Sequence, residues 1–356
     1  MCHRKSFHKS IPETSSKAAT LIGATMPGAT IYDVAERAGV SISTVSRVLN
    51  APDQVRQETR TRVMEAINDL GFVPKHAAAE RARKSSQRVG VLAPFFTYPS
   101  FVQRLRGVSQ QIDGSTYELV IYNIDRAERR DSYLASLPLS RRLDGLIVMS
   151  LPLSEQFADN LLKNQLPTVL VETAGPWFSS VQIDDRLGGG LVADYLVSQG
   201  HRRLAFVGDA EVPTFVLQVS QARLEGFQRG LAERGLALAP PYISLAPHGL
   251  EQAVQQTFEL LDQPEPPSAI FASSDTQAMG VLKAARLRGL RVPEDLAVVG
   301  FDDLDVSDYI GLTTVRQHLE ESGRVAVDML LTRLEDDQRP PQQITLPLEL
   351  VRRQTA

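Results

Sequence analysis

The chain is poor in what would cross-link it, anchor it in a bilayer or cut a bond. One cysteine, Cys2, stands in 356 residues. No internal disulfide can form, and a reducing cytoplasm is the expected compartment. No apolar run approaches bilayer-spanning length, so no membrane partner is expected. His201 sits beside Arg202 and Arg203 in a turn, with no second His or Cys at ligand spacing. No metal and no other cofactor is therefore expected. No nucleophile–base–acid set is visible, so an enzyme is not expected. Gly188-Gly189-Gly190 lacks the Lys-Ser/Thr of a phosphate loop and the spacing of a dinucleotide fingerprint; it reads as a closely packed helix start.

Charge is present but unevenly placed. The net charge is −4, which alone argues against a nucleic-acid partner. Residues 1–90 carry +6 and the remainder −10. A basic head on an acidic body favours docking by one end. Residues 1–29 show no clear periodicity and read as a disordered basic tail. Arg4, Lys5 and Lys9 before a weakly apolar Ala18–Thr25 only superficially suggest an export signal. A true start at Met26 is the other reading, which mass spectrometry of the native N-terminus decides.

The densest local signal is Thr30–Asn50. Thr30 can cap a helix, with Asp33 three residues on as in a capping box. Ile31, Val34, Ala35 and Ala38 form one apolar stripe. Gly39 suits a left-handed stop, Val40 can plug the turn, and Ser41 can cap the next helix. Val45, Val48 and Leu49 share the inner face of that helix; Ser43, Ser46, Arg47 and Asn50 share the other. An ordinary solvated hairpin would carry the same residue types. Here capping, turn and both faces agree, which points to a helix-turn-helix presenting side chains to double-stranded DNA. A third helix, Gln57 to Leu70, with Val63, Ala66, Ile67 and Leu70 inward, would complete a small headpiece.

The window closely resembles the headpiece of the LacI/GalR family of bacterial transcription regulators, whose pattern T-I-x-D-V-A-x-x-A-G-V-S-x-x-T-V-S-R-V-L-N it follows almost without a gap. The resemblance implies base readout by Ile42, Ser43 and Arg47. It implies phosphate positioning by Tyr32, Thr44, Ser46 and Asn50, and it adds Gln54 to the DNA-binding set. The domains are expected at 1–29 (tail), 30–73 (headpiece), 74–87 (hinge) and 88–356 (effector-binding domain). In the family the hinge becomes helical on DNA and its leucine wedges into the minor groove. Arg81 occupies the leucine position here, and Ala79 stands where an arginine is usual. Arg81, with Arg83 and Lys84, is expected to read a narrow minor groove electrostatically instead.

From Arg88 onward β-rich runs alternate with helical segments. The runs are Val89–Ala93, Glu118–Tyr122, Gly145–Met149, Thr168–Val171, Leu204–Val207, Ala269–Ala272 and Ala297–Gly300. The alternation predicts an α/β fold with two parallel sheets and a ligand beyond the strands' C-terminal ends. The family's effector domain, similar to periplasmic sugar-binding proteins with two lobes and a cleft, is implied for nearly all of this body. Its markers are Val181-Gln-Ile-Asp-Asp185, Gly200–Phe206, Arg223–Phe227, Phe271–Gly280 and Val299–Asp303.

Polar residues at strand ends are the candidate ligand site: Glu172, Arg223, Asp302 and Gln317. Carboxylates accepting sugar hydroxyls beside a donating Arg suit a polyol. The plain alternative is Asp302 as a helix cap and Glu172 as a surface charge. Tyr98-Pro-Ser-Phe101 replaces the family's Asn-Pro-Phe-Phe, and Ser274 replaces an Asn. Two amides are lost and an aromatic gained, so Tyr98, Phe101 and Ser274 join the effector set. Phe96, Trp177 and Phe215 are further aromatic candidates, with Trp177 equally readable as loop packing. Asp275 is expected to cap the helix Thr276–Arg288. The stripe Val327, Leu330, Leu331 and Leu334 is expected to be core, with a subunit interface as the other reading.

The resemblance thus implies a regulator, a repressor first, controlled by a small molecule, a sugar or within the family a nucleobase. A homodimer would read a pseudo-palindromic operator. No heptad segment trails the last predicted strand before Ala356, which favours a dimer over a tethered tetramer. A transporter's solute receptor would share the fold but have no DNA head. A sugar- or nucleoside-processing enzyme would need the catalytic set that is missing.

Overall fold

A computed structural model describes residues 29–50, 52–70, 72, 86–210 and 213–356. Residues 73–85, which hold Ala79, Arg81, Arg83 and Lys84 of the expected hinge, fall outside these residues, as do residues 1–28 of the expected tail.

Three helices build the headpiece: α1 (Ile31–Ala38), α2 (Ile42–Asn50) and α3 (Gln57–Leu70). Thr30 caps α1, and the reciprocal bond from its backbone N–H to Asp33 completes the box. Gly39 ends α1 at φ 63°, where a Cβ would be strained. The Ser41 hydroxyl accepts the Thr44 N–H at 3.2 Å and caps α2. Val34, Ala35, Val45, Val48, Val63, Ala66, Ile67 and Phe72 close a small core. Leu139 of the body also packs against it. A core this small gives modest stability on its own.

The body is two α/β lobes. The N lobe holds β1 (Arg88–Pro94), β2 (Glu118–Ile124), β3 (Gly145–Met149), β4 (Thr168–Val171), β5 (Ser179–Gln182) and β11 (Gln343–Thr345), ordered β11-β5-β4-β3-β1-β2. Every pair in it is parallel. Its helices are α4 (Pro99–Ile112), α5 (Ala127–Ser140), α6 (Glu155–Lys163) and α12 (Leu319–Glu335). The C lobe orders β12-β10-β9-β8-β6-β7: β6 (Leu204–Asp209), β7 (Ile243–Ala246), β8 (Ala269–Ala272), β9 (Ala297–Asp302), β10 (Thr313–Arg316) and β12 (Glu349–Val351). Among the described residues only β12 runs antiparallel, as a closing edge. Its helices are α7 (Asp185–Ser198), α8 (Val219–Ala232), α9 (Leu250–Leu261), α10 (Asp275–Leu287) and the short α11 (Asp305–Tyr309).

The chain passes between lobes three times: from β5 to α7, from β10 to α12, and from β11 to β12. Each lobe buries apolar side chains on both faces of its sheet, as covered parallel sheets require. Strands β5 and β7 were not among the expected runs. The β5 segment Ser-Ser-Val-Gln is too polar to read as a run, and β7 lies only half-buried near an edge. The expected core stripe of α12 is realised, with Val327 and Leu330 fully buried and Leu331 and Leu334 packed against them.

Gly188–Gly190 lies in the first half of α7, which packs on α8. A Cβ on Gly189 would sit 2.0 Å from the Arg223 carbonyl oxygen, and one on Gly226 1.9 Å from that of Arg186. The glycines therefore let two helix backbones touch, and this approach places Arg223 in the cleft wall.

Candidate functional sites: a helix-turn-helix face and an interlobe cleft

On the headpiece, Tyr32, Ile42, Ser43, Arg47 and Gln54 are exposed, while Thr44 and Ser46 are half-buried. Ser41, Ser43 and Thr44 form a hydroxyl cluster at 2.8 Å spacings around the N-terminus of α2. The side chain of Asn50 lies outside the described residues. Arg37 is held by Asp69 of α3 at 2.8 Å, so this arginine braces the headpiece. What α2 offers to solvent is small hydroxyls, one apolar tip and one long cation. That set suits phosphates, a thymine methyl and a guanine edge respectively.

The second site lies between the lobes. All seven sequence-derived candidates, Tyr98, Phe101, Glu172, Arg223, Ser274, Asp302 and Gln317, line one cleft of about 370 Å³. A larger hollow of about 810 Å³ separates α3 from α5 and α6. Its rim includes exposed Gln57, Asp159 and Lys163, and among the described residues it gathers no pair of buried charges.

Strand ends supply the cleft's polar groups, and the backbone there is unusual. Phe95 after β1, Ser150 after β3, Glu172 after β4 and Asp302 at the end of β9 all have positive φ, from 46° to 124°. Non-glycine residues seldom adopt this region, and such positions gather at functional sites. Left-handed corners turn these side chains off the sheet and into the space between the lobes.

The buried charges are paired. Arg104 of α4 donates to Glu172 at 2.5 Å and to Ser322 of α12 at 2.9 Å. Ser150 also donates to Glu172. Arg223 donates to Asp185 at 2.8 Å and to the Ser273 carbonyl at 2.6 Å, and its guanidinium lies 3.6 Å from Asp302. It also covers the Phe301 ring at 3.7 Å. Gln317 donates to Asp302 at 2.5 Å. Its carbonyl oxygen is buried without a partner among the described residues. A buried acceptor left open calls for a donor, and a ligand hydroxyl meets that need.

Burial pushes Asp302 up to about 6; Arg223 and Gln317 oppose the rise and Glu172 adds to it. For Glu172 burial is outweighed by Arg104, Ser150 and Arg223, which hold it below its ordinary value. On the C-lobe side His248 binds Asp209 at 3.0 Å. Burial disfavours its proton, but Asp209 wins and the imidazole is raised.

Several readings are corrected. Ser274, not Asp275, caps the helix, which spans Asp275–Leu287. Asp275 is wholly buried behind the cleft, accepting from Leu304, Ser307 and Thr314. It ties β9, α11 and β10 together. Asp302 caps nothing, because α11 starts after Leu304 without a side-chain cap. Trp177 is half exposed and away from the cleft, and Phe96 packs in the N-lobe core. Phe215 is buried against Phe95 rather than open to a ligand. The cleft's aromatics are Phe95, Tyr98 and Phe101. Sequence reasoning missed Arg104, Ser150, Asp185, Asp209 and His248. The strand-end rule would have found Ser150 and Asp209, since each abuts a recognised strand. His248 follows the unrecognised β7.

The same architecture occurs in known proteins. Residues 30–75 match the family model described as bacterial regulatory proteins, lacI family, and residues 193–356 match the periplasmic binding protein-like domain. The chain is 33% identical to catabolite control protein A of Priestia megaterium, over 85% of this chain and 91% of that one. A complex of the transcriptional regulator CelR with cellobiose aligns at TM-score 0.68 and 28% identity, covering 92% of this chain and all of that one. A LacI family regulator from Enterococcus faecium with bound ribose aligns at 0.66 and 27%, covering 76% and 98%. Two lobes, a polar cleft at their strand ends and a capped helix-turn-helix thus come together in one chain, which belongs to the lacI family of bacterial regulatory proteins and is a DNA-binding transcription regulator.

Proposed function

We propose that this regulator is a cytoplasmic repressor, acting as a homodimer on a pseudo-palindromic operator, and that a sugar in the cleft controls its DNA affinity. Ile42, Ser43 and Arg47 read bases; Tyr32, Thr44, Ser46, Asn50 and Gln54 position the phosphates. The observation that carries the ligand reading is the meeting of Glu172, Arg223, Asp302 and Gln317 from four separate segments, with the Gln317 side-chain carbonyl unsatisfied among the described residues. Carboxylates accept sugar hydroxyls, Arg223 donates, and the Gln317 oxygen takes one more hydroxyl. The cellobiose and ribose held by the two structural neighbours support the same ligand class.

Because the cleft lies between lobes, a bound sugar contacts both and biases their relative placement. Ligand and DNA affinities are then coupled reciprocally. A thermal-shift screen of sugars and nucleobases tests the reading. A ligand at 100 times its Kd adds ~2.7 kcal/mol of stability. A hit whose shift survives both Arg223→Ala and Asp302→Ala would place the site elsewhere.

A further inference from the structure

We propose that the ligand this cleft is built for is an uncharged glycoside of a flat ring: a polyol part held by Asp302, Gln317 and Arg223, and a planar part against Phe95, Tyr98 and His248. The inference rests on the sugar reading above and narrows its class.

Three observations meet here. The first is the division of the wall. Glu172, Arg223, Asp302 and Gln317 are polar, whereas Phe95, Pro213, Val216, Leu217 and Pro247 offer apolar surface. A cleft of about 370 Å³ holds roughly a dozen waters at ~30 Å³ each, more than one sugar ring displaces.

The second is a row of nearly parallel rings. Phe95 and Tyr98 stack at 5.2 Å with 17° between planes, and Tyr98 stacks on His248 at 5.1 Å with 26°. Phe95 and Tyr98 belong to the N lobe and His248 to the C lobe, so the row bridges the two. A flat ring extends such a row by offset stacking, and an aliphatic substituent does not.

The third is charge. Arg104 is paired with Glu172, Arg223 with Asp185, and His248 with Asp209. Asp302 also lies 3.6 Å from Arg223, a fourth carboxylate beside three cations. Carboxylates therefore outnumber cations, and every cation has a carboxylate partner. A phosphate or carboxylate on the ligand would enter a space that is already negative and would meet no unpaired cation among the described residues. The ligand is accordingly neutral.

Two sources share this chemistry: N-glycosides, the nucleosides, and O-glycosides of aromatic alcohols. Calorimetry on the full chain separates them. The probes are the methyl and 4-nitrophenyl glycosides of common hexoses and pentoses with the free sugars, the nucleosides, and the sugar and nucleoside phosphates. At least one flat-ring glycoside is expected to bind roughly tenfold or more tighter than its free or methylated sugar. The corresponding phosphate ester should bind at least as many-fold weaker. Tyr98→Ala and His248→Ala should each lower the flat-ring preference. Stronger binding of the nucleoside or of the aryl glycoside names the source. Equal binding of methyl and flat-ring forms, or tighter binding of a phosphate ester, overturns this inference and leaves the sugar reading standing. Silence from every sugar, glycoside and nucleoside overturns both.

Discussion

The headpiece and the cleft recognise their partners by opposite means. The headpiece exposes its functional groups on a two-turn helix and spends burial only on a small apolar core. The cleft buries its functional groups, and each must be paired or held by hydrogen bonds to stay ionised. A surface group can be replaced with little effect on folding. A buried charge cannot, because its partner is then left uncompensated in low dielectric. Recognition and stability are thus separable in the headpiece and entangled in the cleft.

Substitutions can break or sharpen that contrast. The largest effect is expected at Arg223. Its removal strands Asp185 and Asp302 and uncovers the Phe301 ring. Arg223→Ala should cost about 3–5 kcal/mol of body stability in urea titrations, together with sugar binding. An unchanged unfolding midpoint would refute the entanglement.

Asp302 gives the next effect, with a pH signature. Burial pushes its carboxyl up to about 6, above the ordinary aspartate value of 3.8. The folded state therefore binds the proton more tightly, and stability is full below the lower value and lost as pH rises through the upper one. Between pH 4 and 7 the loss should reach about 1–3 kcal/mol, and Asp302→Asn should flatten it. A wild-type stability that climbs by the same amount over that range, unaltered in the variant, counts against the assigned direction.

Arg47→Ala should weaken operator binding by about 1–3 kcal/mol, most at one base position, and leave urea midpoints within ~0.5 kcal/mol. A comparable loss of stability would show that the headpiece is entangled as well. The smallest effect is expected at Arg81, in the segment proposed as a hinge. Arg81→Ala should weaken binding modestly and lower the salt slope by about one unit. An unchanged affinity and slope would remove the hinge arginine from the account.

The same contrast explains how much was legible in the sequence. The helix-turn-helix is local. Thr30, Asp33, Gly39 and Ser41 act on neighbours three to five residues away, so capping and turn could be read directly and the structure repeats them. The strands of the two sheets were readable where buried on both faces, as at Gly145–Met149 and Ala269–Ala272. The seven cleft residues were placed by strand ends and by family resemblance, and they do converge. What could not be read is pairing across long separations. Arg104 meets Glu172 and Ser322, and Tyr98 meets His248, across spans that no local pattern encodes. Asp275 shows the limit most clearly. Its position before a helix suggested a cap, yet its carboxylate reaches 29 to 39 residues onward to bind Leu304, Ser307 and Thr314.

The coupling of cleft to headpiece is the central claim, and a four-cornered binding cycle tests it most directly. A duplex selected by the full chain from a random pool, which should be pseudo-palindromic, is titrated with and without the sugar found by the screen. The sugar is then titrated with and without that duplex. The account predicts that sugar changes the DNA Kd and that DNA changes the sugar Kd by the same factor, within the roughly 5–150-fold range usual for such coupling. Full occupancy of the cleft with no change in DNA affinity would contradict it.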